Sequence, residues 1–439
     1  MMIETIIDII FRLEISTQMT GTGSKSGRAG NMTAAEKKVW DFIQKHTELL
    51  IVIIGAAASL CIRYALMDFV SDDMRVYLLP WYEEIRQSGG LKALSAQVGE
   101  YNIPYQILIS IATCLPVQPV HAYKIISVIF DYLLGAAAAR TVWLVTDRNR
   151  LKTAFAFAVA VNLPMVFLNS AMWGQCDSIY TFFCVLSVLF LLERKSMLCF
   201  VAYGAACAFK LQAVFLLPFL LFAYGKDRQF SIWKIVLVPL TMIACSLPAI
   251  VQGRPVADVF LIYGSQTGIY RQMALNYPSF WSLMMPNLDG RYYGYFMAPA
   301  IILTLCILLT EAILFLKKDG SGTMRERLMQ CFLLSYTCVV FLPAMHERYD
   351  YLPLVMGLIL VFAESKTVVL YLGLCILNIK AYSDFLLKNP QPWDILSVMN
   401  VLIFAGYAIF VYRRTCLAGI PRELRRGRPD AFIDKHRGE

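Results

Sequence analysis

The sequence is poor in charge for its length, and this shortage excludes most soluble folds. Charged residues make up 16% of the 439 residues, whereas hydrophobic residues make up 58%. A soluble domain carries roughly 25% charged residues, so this chain cannot cover a water-facing surface of ordinary composition. A soluble enzyme, a disordered chain and a coiled coil are therefore excluded. The net charge of +9 lies in short loops and in the tail, so it does not indicate nucleic-acid binding.

The sequence also lacks the spacings that mark a metal site or a disulfide framework. Its 12 Cys are scattered, mostly within apolar runs, without a C-x-x-C motif, and its 4 His form no H-E-x-x-H motif. Both kinds of site need closely spaced ligands or paired cysteines. The apolar start "IETIIDIIF" is interrupted by acids and lacks a small-residue cleavage site, so it does not indicate a signal peptide.

Long apolar runs are the main feature that the sequence does have. A helix needs about 20 apolar residues to cross the ~30 Å hydrocarbon core of a bilayer. The runs are continuous rather than alternating, which favours helices over a β-barrel. We therefore predict an all-α polytopic membrane protein with about twelve transmembrane helices. The predicted crossings lie near residues 49–66, 121–145, 152–171, 178–192, 197–209, 211–224, 232–251, 296–316, 328–343, 351–363, 367–380 and 395–412.

The predicted organisation is a single transmembrane domain over residues 49–412 between two polar ends. Residues 1–48 are expected to form a flexible cytoplasmic segment, and residues 413–439 a basic cytoplasmic tail. Lys and Arg are several times more frequent in the loops on the side of both termini, which predicts that this side is cytoplasmic. Residues 103–118 are apolar but short and rich in Pro. We favour a partly embedded or re-entrant segment; the alternative is a thirteenth crossing, which would reverse the sides of the later loops and put most basic clusters outside.

Two long loops are predicted on the outer side, at residues 67–102 and 252–295. The first has a negative net charge, and its segment "MRVYLLPWYEEIRQSGGLKAL" places apolar residues at near-helical spacing. This pattern predicts amphipathic helices that lie on the membrane surface. The second loop is rich in Tyr, Asn, Gln and Pro.

Two polar clusters on the outer side contain candidate chemical groups. Asp72 and Asp73 follow the first crossing, where an acid can act as a general base or simply be solvated at the start of a loop. Trp173, Gln175 and Asp177, in "NSAMWGQCDSIYTFF", supply an aromatic ring, an amide and a carboxylate, a set that suits a sugar. The alternative is an interfacial Trp followed by a helix-capping Asp.

Two further clusters carry cations. Lys210 lies beside Gln212 between two short apolar segments, where it can hold a phosphate or pair with a buried acid such as Asp131. The loop "PAMHERYDYLP" contains Arg348, whose guanidinium can grip a phosphate with two hydrogen bonds, or it is an ordinary charged loop. All four clusters fall on one side of the predicted topology. This favours a site at the outer leaflet over the midplane site of a transporter.

Six motifs then occur in an order that resembles a known family. They are "SDDMRVYLLPWYEEIRQSGG", "GEYNIPYQILI", "KIISVIFDYLLG", "LNSAMWGQCDSIYTFF", "FKLQAVFLLP" and "MHERYDYLP". The series resembles the bacterial relatives of the second mannosyltransferase of GPI-anchor assembly, and the resemblance extends over roughly residues 60–365. These proteins belong to the GT-C class of multi-pass glycosyltransferases. The ordered series is specific to the class, but not to the sugar.

The resemblance implies transfer of a sugar, such as the hexose mannose, from a polyprenyl-phosphate donor. The acceptor is a glycan, lipid or protein on the extracytoplasmic side of a bacterial cell membrane, and the anomeric carbon is inverted. By its distance to the Pro-Trp of "LLPWY", Asp73 takes the position of the family's proposed base. Relatives often have Gly-Asp-Tyr where this chain has Asp72-Asp73-Met74, so both Asp72 and Asp73 are candidates.

The resemblance also assigns binding roles to the other clusters. The candidates for binding the donor phosphate are Arg348, Lys210 and His346. The candidates for binding the sugar or the acceptor are Trp173, Gln175, Asp177, Tyr101, Asn102, Gln212 and Glu347. The leaving lipid phosphate is already stable as an anion, so one carboxylate and nearby cations suffice. No cofactor is required, and a divalent metal is compatible with the scheme but not indicated by any ligand cluster.

The expected partners are the lipid-linked donor, the acceptor and membrane lipids, without nucleic acid. Two other classes stay open. One is a transporter or flippase for a lipid-linked sugar, and the other is a glycan polymerase or ligase. A carrier predicts a polar path to the cytoplasmic face, whereas the predicted inner loops are short and merely basic.

Overall fold

The structure is a computed structural model that describes residues 33–228, 230–266, 270–284, 290–317 and 322–416. The described residues are almost entirely helical, and their strands form a single two-residue pair. Most of the predicted flexible segment and of the basic tail lies outside the described residues, as do parts of the predicted loop 252–295.

Eighteen α-helices, which we label in chain order, make up the described part of the chain. The first nine are α1 (Ala34–Lys45), α2 (Thr47–Leu66), α3 (Leu79–Gln87), α4 (Ile103–Ala112), α5 (Pro119–Val145), α6 (Arg150–Val161), α7 (Pro164–Phe167), α8 (Asp177–Leu192) and α9 (Ser196–Phe209). The others are α10 (Leu217–Asp227), α11 (Leu237–Val251), α12 (Asp258–Gln266), α13 (Phe280–Met284), α14 (Gly290–Leu316), α15 (Met324–Phe341), α16 (Tyr351–Ala363), α17 (Val368–Leu387) and α18 (Trp393–Thr415). Short 3₁₀ segments are Gly90–Ser95, Leu211–Leu216, Ile232–Val236 and Ser365–Thr367, and π-helical segments are Met74–Leu78 and Leu168–Trp173.

Six helices among the described residues are long and apolar enough to cross a membrane. They are Thr47–Leu66, Pro119–Val145, Ile232–Val251, Tyr292–Leu316, Ser365–Leu387 and Trp393–Thr415. The pair Arg150–Val161 and Pro164–Trp173, bent by 43°, makes a seventh if it is counted as one span. The prediction of a helical membrane protein is therefore supported. The other predicted crossings lie on apolar helices of 10–17 residues or on α15, which begins with charged residues, so the number twelve stays a prediction.

The N-terminal helix corrects the predicted extent of the flexible segment 1–48. Helix α1 already begins at Ala34, because Thr33 and Glu36 form a capping box in which each side chain satisfies a backbone N–H of the other. The polar composition of this stretch favours flexibility. A charged helix with no buried residue has the same composition, and local capping decides between the two.

The first predicted outer loop is also largely helical. The π-helical segment Met74–Leu78 continues directly into α3, and Pro80, which has no N–H to donate to the preceding turn, follows this wider π-helical turn. Met74, Leu78, Tyr82 and Ile85 are buried, and their spacing of three to four residues places them on one face. This face packs onto the protein.

Helix α16 lies at the centre of the bundle and fixes the loop that precedes it. Every residue from Tyr351 to Ala363 is buried, and α16 contacts α5, α6, α8, α15 and α17. The strand Met345–His346 pairs in parallel with Ala274–Leu275, and Ala344 N donates to Met273 O at 2.9 Å. The second predicted outer loop is thereby attached to the loop before α16.

A buried ion pair connects α2, α5 and the bend after α6. Arg63 donates from Nε and Nη2 to Asp131 Oδ2, at 3.2 and 2.7 Å, and from Nη1 to Val161 O at 2.9 Å. Ser170, in the π-helical segment before Trp173, donates to the same carboxylate oxygen. Because both charges are almost completely buried, each depends on the other for compensation.

Candidate active site

Four breaks between helices meet at one end of the bundle and enclose a pocket of about 260 Å³. They are the segment after α2, the turn before α8, the junction after α9 and the loop before α16. The predicted site residues that line this pocket are Asp73, Tyr101, Asn102, Gln175, Lys210, Gln212 and Arg348. The structure thus brings together residues from all four of the polar clusters in the sequence.

Asp73 is held in a fixed orientation within the pocket. Its Oδ2 accepts hydrogen bonds from Trp173 Nε1 and Gln175 Nε2, both at 2.9 Å. Gly174 lies between these two donors at φ +82°, a conformation that glycine adopts without strain. This turn lets the two flanking side chains reach one carboxylate oxygen.

The other oxygen of Asp73, Oδ1, is free to take part in a reaction. Oδ1 accepts no hydrogen bond from the described residues, and the carboxylate lines the pocket. The chain before Asp73 is fixed as well, because Ser71 Oγ donates to Trp173 O at 2.9 Å and accepts from Met74 N at 3.1 Å. An oriented carboxylate with one oxygen open can accept a proton from a bound hydroxyl.

Asp177 positions the two cations of the pocket. Its Oδ1 lies 2.6 Å from Lys210 Nζ, and its Oδ2 lies 3.7 Å from Arg348 Nε. Asn169 Nδ2 donates to the same Oδ2 at 2.9 Å, and the Asp177 side chain is completely buried. Asp177 therefore lies behind the pocket wall and does not offer its carboxylate to a sugar.

Arg348 is a permanently charged group in this pocket. Its Nη1 donates to Glu347 Oε1 at 2.9 Å. Burial alone lowers the pKa of Arg348, but Glu347, Asp177 and Asp73 outweigh it and raise the pKa above the usual value. Burial likewise raises the pKa of Glu347, yet the hydrogen bond from His346 and the charge of Arg348 leave that pKa below its usual value. Both members of this pair are therefore ionised at neutral pH.

Trp173 has a different position from the one expected for a sugar-stacking ring. It is fully buried, with Phe385 stacked on it at 4.4 Å and the guanidinium of Arg348 over it at 5.0 Å. Tyr382 meets it edge-on at 5.3 Å. The ring has no exposed face for a sugar, and its contribution to the site is the hydrogen bond to Asp73.

Tyr101 and Asn102 also line the pocket, and both make polar contacts with neighbouring side chains. Tyr101 Oη donates to Gln175 Oε1 at 3.4 Å, and burial raises the pKa of Tyr101, so its hydroxyl stays neutral. Asn102 Nδ2 donates to Tyr263 Oη at 3.0 Å, and Asn102 Oδ1 accepts from Gln266 Nε2 at 2.9 Å. These bonds attach α12 to the pocket.

The structure separates the two adjacent acids Asp72 and Asp73. Asp72 is exposed and pairs with Lys388 Nζ at 2.8 Å, and that hydrogen bond and charge lower the pKa of Asp72. Consecutive residues of a helix point about 100° apart, so only Asp73 lines the pocket.

His346 and Glu347 also lie behind the pocket wall rather than in it. His346 Nδ1 is 3.8 Å from Glu347 Oε2, and its ring meets Tyr270 edge-on at 4.5 Å. Neither residue lines the pocket. This geometry therefore does not support a direct contact between His346 and the donor phosphate. Together they fix Arg348 and Tyr270.

Sequence reasoning missed several residues that line the pocket. They are Tyr77, Trp81, Glu100, Phe209, Gln266 and Tyr270. In the sequence, Trp81 serves only to locate Asp73, although an aromatic ring next to a candidate base is itself a sugar-binding signal. Tyr270 and Gln266 lie in the loop that is rich in Tyr, Asn and Gln, and no local pattern singles them out.

The side chains present supply one oriented carboxylate, two fixed cations and a rim of aromatic and amide groups. Among the described residues, no group of three or more His, Cys, Asp or Glu side chains is arranged to hold a metal ion. Comparison with models of known protein families and with curated proteins finds no match to this chain.

Proposed function

We propose that this chain is a membrane glycosyltransferase of the GT-C type, which uses a polyprenyl-phosphate-linked sugar as donor. One observation carries the proposal: a single pocket joins an oriented carboxylate, Asp73, to two cations, Lys210 and Arg348. Sugar transfer from a lipid phosphate needs one base for the acceptor hydroxyl and positive charge for the leaving phosphate. The pocket holds both.

In the proposed reaction, the acceptor oxygen attacks the anomeric carbon of the donor from the side opposite the phosphate. Asp73 takes the hydroxyl proton, a carbon–oxygen bond to the acceptor forms, and the bond from the anomeric carbon to the phosphate oxygen breaks. The electron pair leaves with the lipid phosphate, and the anomeric configuration is inverted. The polyprenyl phosphate departs as an anion next to Arg348 and Lys210.

The cations act here as a shared network rather than as two free charges. Lys210 and Arg348 already contact Asp177 and Glu347. These carboxylates weaken the attraction between the two cations and a bound phosphate. This suits a leaving group that must be released after each turnover. Arg348 Nε has no hydrogen-bond partner among the described residues, although it is buried. Nε faces Asp177 Oδ2 at 3.7 Å, behind the pocket wall, so we assign the phosphate contact to the part of the Arg348 side chain that lines the pocket.

We further propose that the pocket opens on the extracytoplasmic side of the cell membrane and that the shorter apolar helices complete twelve crossings. Basic residues with acidic partners lie at the other end of the bundle, in the ion pairs Arg140–Glu193, Arg325–Asp147 and Arg414–Glu364. Excess Lys and Arg mark the cytoplasmic side. The exposed apolar side chains of Val76 and Tyr77, beside the pocket, suit the membrane boundary.

Transfer of label from a polyprenyl-phosphate sugar tests the proposal. Purified protein in vesicles is incubated with radiolabelled polyprenyl-phosphate mannose and a lipid or glycan acceptor. Asp73→Asn keeps the size of the side chain but removes its basicity, so transfer should fall about 10²- to 10⁴-fold. Asp72→Asn is the matched control, because its carboxylate pairs with Lys388 outside the pocket, and it should retain transfer.

The result also separates the rival functions. Movement of the labelled lipid across the vesicle without transfer or hydrolysis would identify a flippase and refute the enzyme. Transfer of a whole oligosaccharide in preference to a single sugar would identify a ligase or polymerase. Full transfer activity of Asp73→Asn would refute the role of Asp73 as the base, although the protein would still be a transferase.

A further inference from the structure

A groove lies between α17 and α18 at the end of the bundle opposite the pocket. The C-terminal part of α17 contacts the site, through Tyr382 with Asn169 and through Phe385 with Trp173, so its N-terminal end is remote from the site. The groove has a volume of about 390 Å³. Its lining consists of three cations, Lys366, Arg413 and Arg414, and apolar residues that include Leu370, Ile409 and Phe410.

Helix packing places the cations at one end of an apolar floor. A Cβ atom at Gly373 would lie 2.7 Å from Ile403, and one at Gly406 would lie 3.0 Å from Leu370, so the antiparallel helices approach closely at both levels. One turn further along, Lys366 of the 3₁₀ segment before α17 falls level with Phe410. Arg413 lies about 5 Å beyond it, at a rise of 1.5 Å per residue.

The groove lies on the outer surface of the bundle, where α17 and α18 are not covered by the other described helices. Each helix belongs to a span long and apolar enough to cross a membrane. Val369 is 71% exposed, Leu402 is 65% exposed and Ile409 is 53% exposed, so large apolar side chains flank the groove. In a bilayer, acyl chains cover such a surface.

Two of the cations have no ionic partner among the described residues. Arg414 Nη2 contacts Glu364 Oε1 at 3.1 Å, and its guanidinium lies over Phe410 at 5.8 Å. Lys366 and Arg413 are exposed and make no ion pair within the described part of the chain. Unpaired cations beside an apolar floor complement a molecule with an acyl chain and a negatively charged head.

We propose that this groove binds an anionic phospholipid. One acyl chain lies against Leu370, Ile409 and Phe410, and the phosphate contacts Lys366 and Arg413. A zwitterionic phospholipid also has a phosphate, but its headgroup cation would meet the unpaired charges of Lys366 and Arg413, which disfavours it. The site is remote from the pocket, so it stands independently of the proposed transferase activity.

Thermal unfolding of the full-length protein in mixed micelles tests the lipid site. The melting temperature is followed while phosphatidylglycerol or phosphatidylcholine is added. Phosphatidylglycerol should stabilise the protein more strongly. Lys366→Gln with Arg413→Gln should weaken its apparent affinity about 30-fold, at about 1 kcal/mol for each cation removed near a membrane surface.

The matched control removes two other exposed cations at the same end of the bundle. Lys45→Gln with Arg150→Gln has the same change in charge but leaves the groove intact, so it should keep the stabilisation. An equal loss in both double variants would show a general surface-charge effect and overturn the site. Equal stabilisation by phosphatidylcholine, or by inorganic phosphate alone, would overturn the assignment to an anionic phospholipid.

Discussion

Replacing Asp177 by Asn tests how the structure assigns the charges around the pocket. The substitution keeps the size of the side chain but leaves Lys210 and Arg348 without the carboxylate that lies between them, at 2.6 and 3.7 Å. Removing one partner of a buried ion pair costs about 3–5 kcal/mol. Asp177 is fully buried and the Lys210 side chain is only 14% exposed, so water cannot replace the lost contact effectively. We expect the free energy of unfolding to fall by an amount in that range.

A double-mutant cycle isolates the ion pair from the other effects of the substitution. Lys210→Met alone leaves Asp177 with Asn169 and the longer contact to Arg348. The double variant removes both charges, so it should lose less than the sum of the two single variants. Close charge pairs give coupling energies of about 1.5 kcal/mol or more in such cycles. Unfolding by a denaturing detergent in mixed micelles measures all four proteins.

The opposite result would return Asp177 to the role expected from the sequence. If Asp177 contacted a sugar, its replacement by Asn would weaken substrate binding and leave the free energy of unfolding almost unchanged. Additive losses in the cycle would likewise show that the carboxylate and Lys210 do not depend on each other.

Three further predictions concern the base, the pH dependence and the orientation. Trp173→Phe removes the Nε1 donor from Asp73. The loss of a hydrogen bond to a charged group costs about 1.5–3 kcal/mol, so transfer should fall about 10- to 150-fold. Unchanged transfer would refute the role of this bond. Burial raises the pKa of Asp350 to about 8, so the folded protein holds a proton that the unfolded chain releases near pH 4. The stability from this proton is complete below pH 4 and is lost as the pH rises to about 8, and unfolding measured over this range should show a smaller fall for Asp350→Asn than for the wild type. In a cysteine-free background, Ser88→Cys should react with an impermeant reagent in intact cells and Arg150→Cys should not; the reverse pattern would invert the proposed topology.

The helices that the sequence predicts best are the long ones. The predicted crossing 395–412 falls within α18, because an apolar run of this length is typical of a membrane-spanning helix. Burial is harder to predict. The crossing 351–363 has the bounds of α16, yet an apolar run looks the same whether its neighbours are lipids or other helices, and here every residue is covered by protein.

Within the candidate site, residue types were more predictable than distances. The alternation of crossings placed Asp73, Lys210 and Arg348 on one side, and the structure gathers them in one pocket. The sequence does not reveal that Phe385 and Arg348 cover Trp173, because these contacts join remote parts of the chain. Nor could spacing along the chain decide which of two adjacent acids faces inward, because that depends on the rotation of the helix.

The ion pair between Arg63 and Asp131 has a consequence for biosynthesis. The two residues are 68 positions apart, so at about 5–20 residues per second Arg63 is made about 3–14 s before its partner. Arg63 is near the end of its helix, where a long side chain can reach the membrane surface while it waits. Asp131 is near the middle of α5, where an uncompensated charge costs roughly 2.5–3.5 kcal/mol, and it enters when the cation is already present. The order of synthesis thus brings the more adaptable charge into the membrane first.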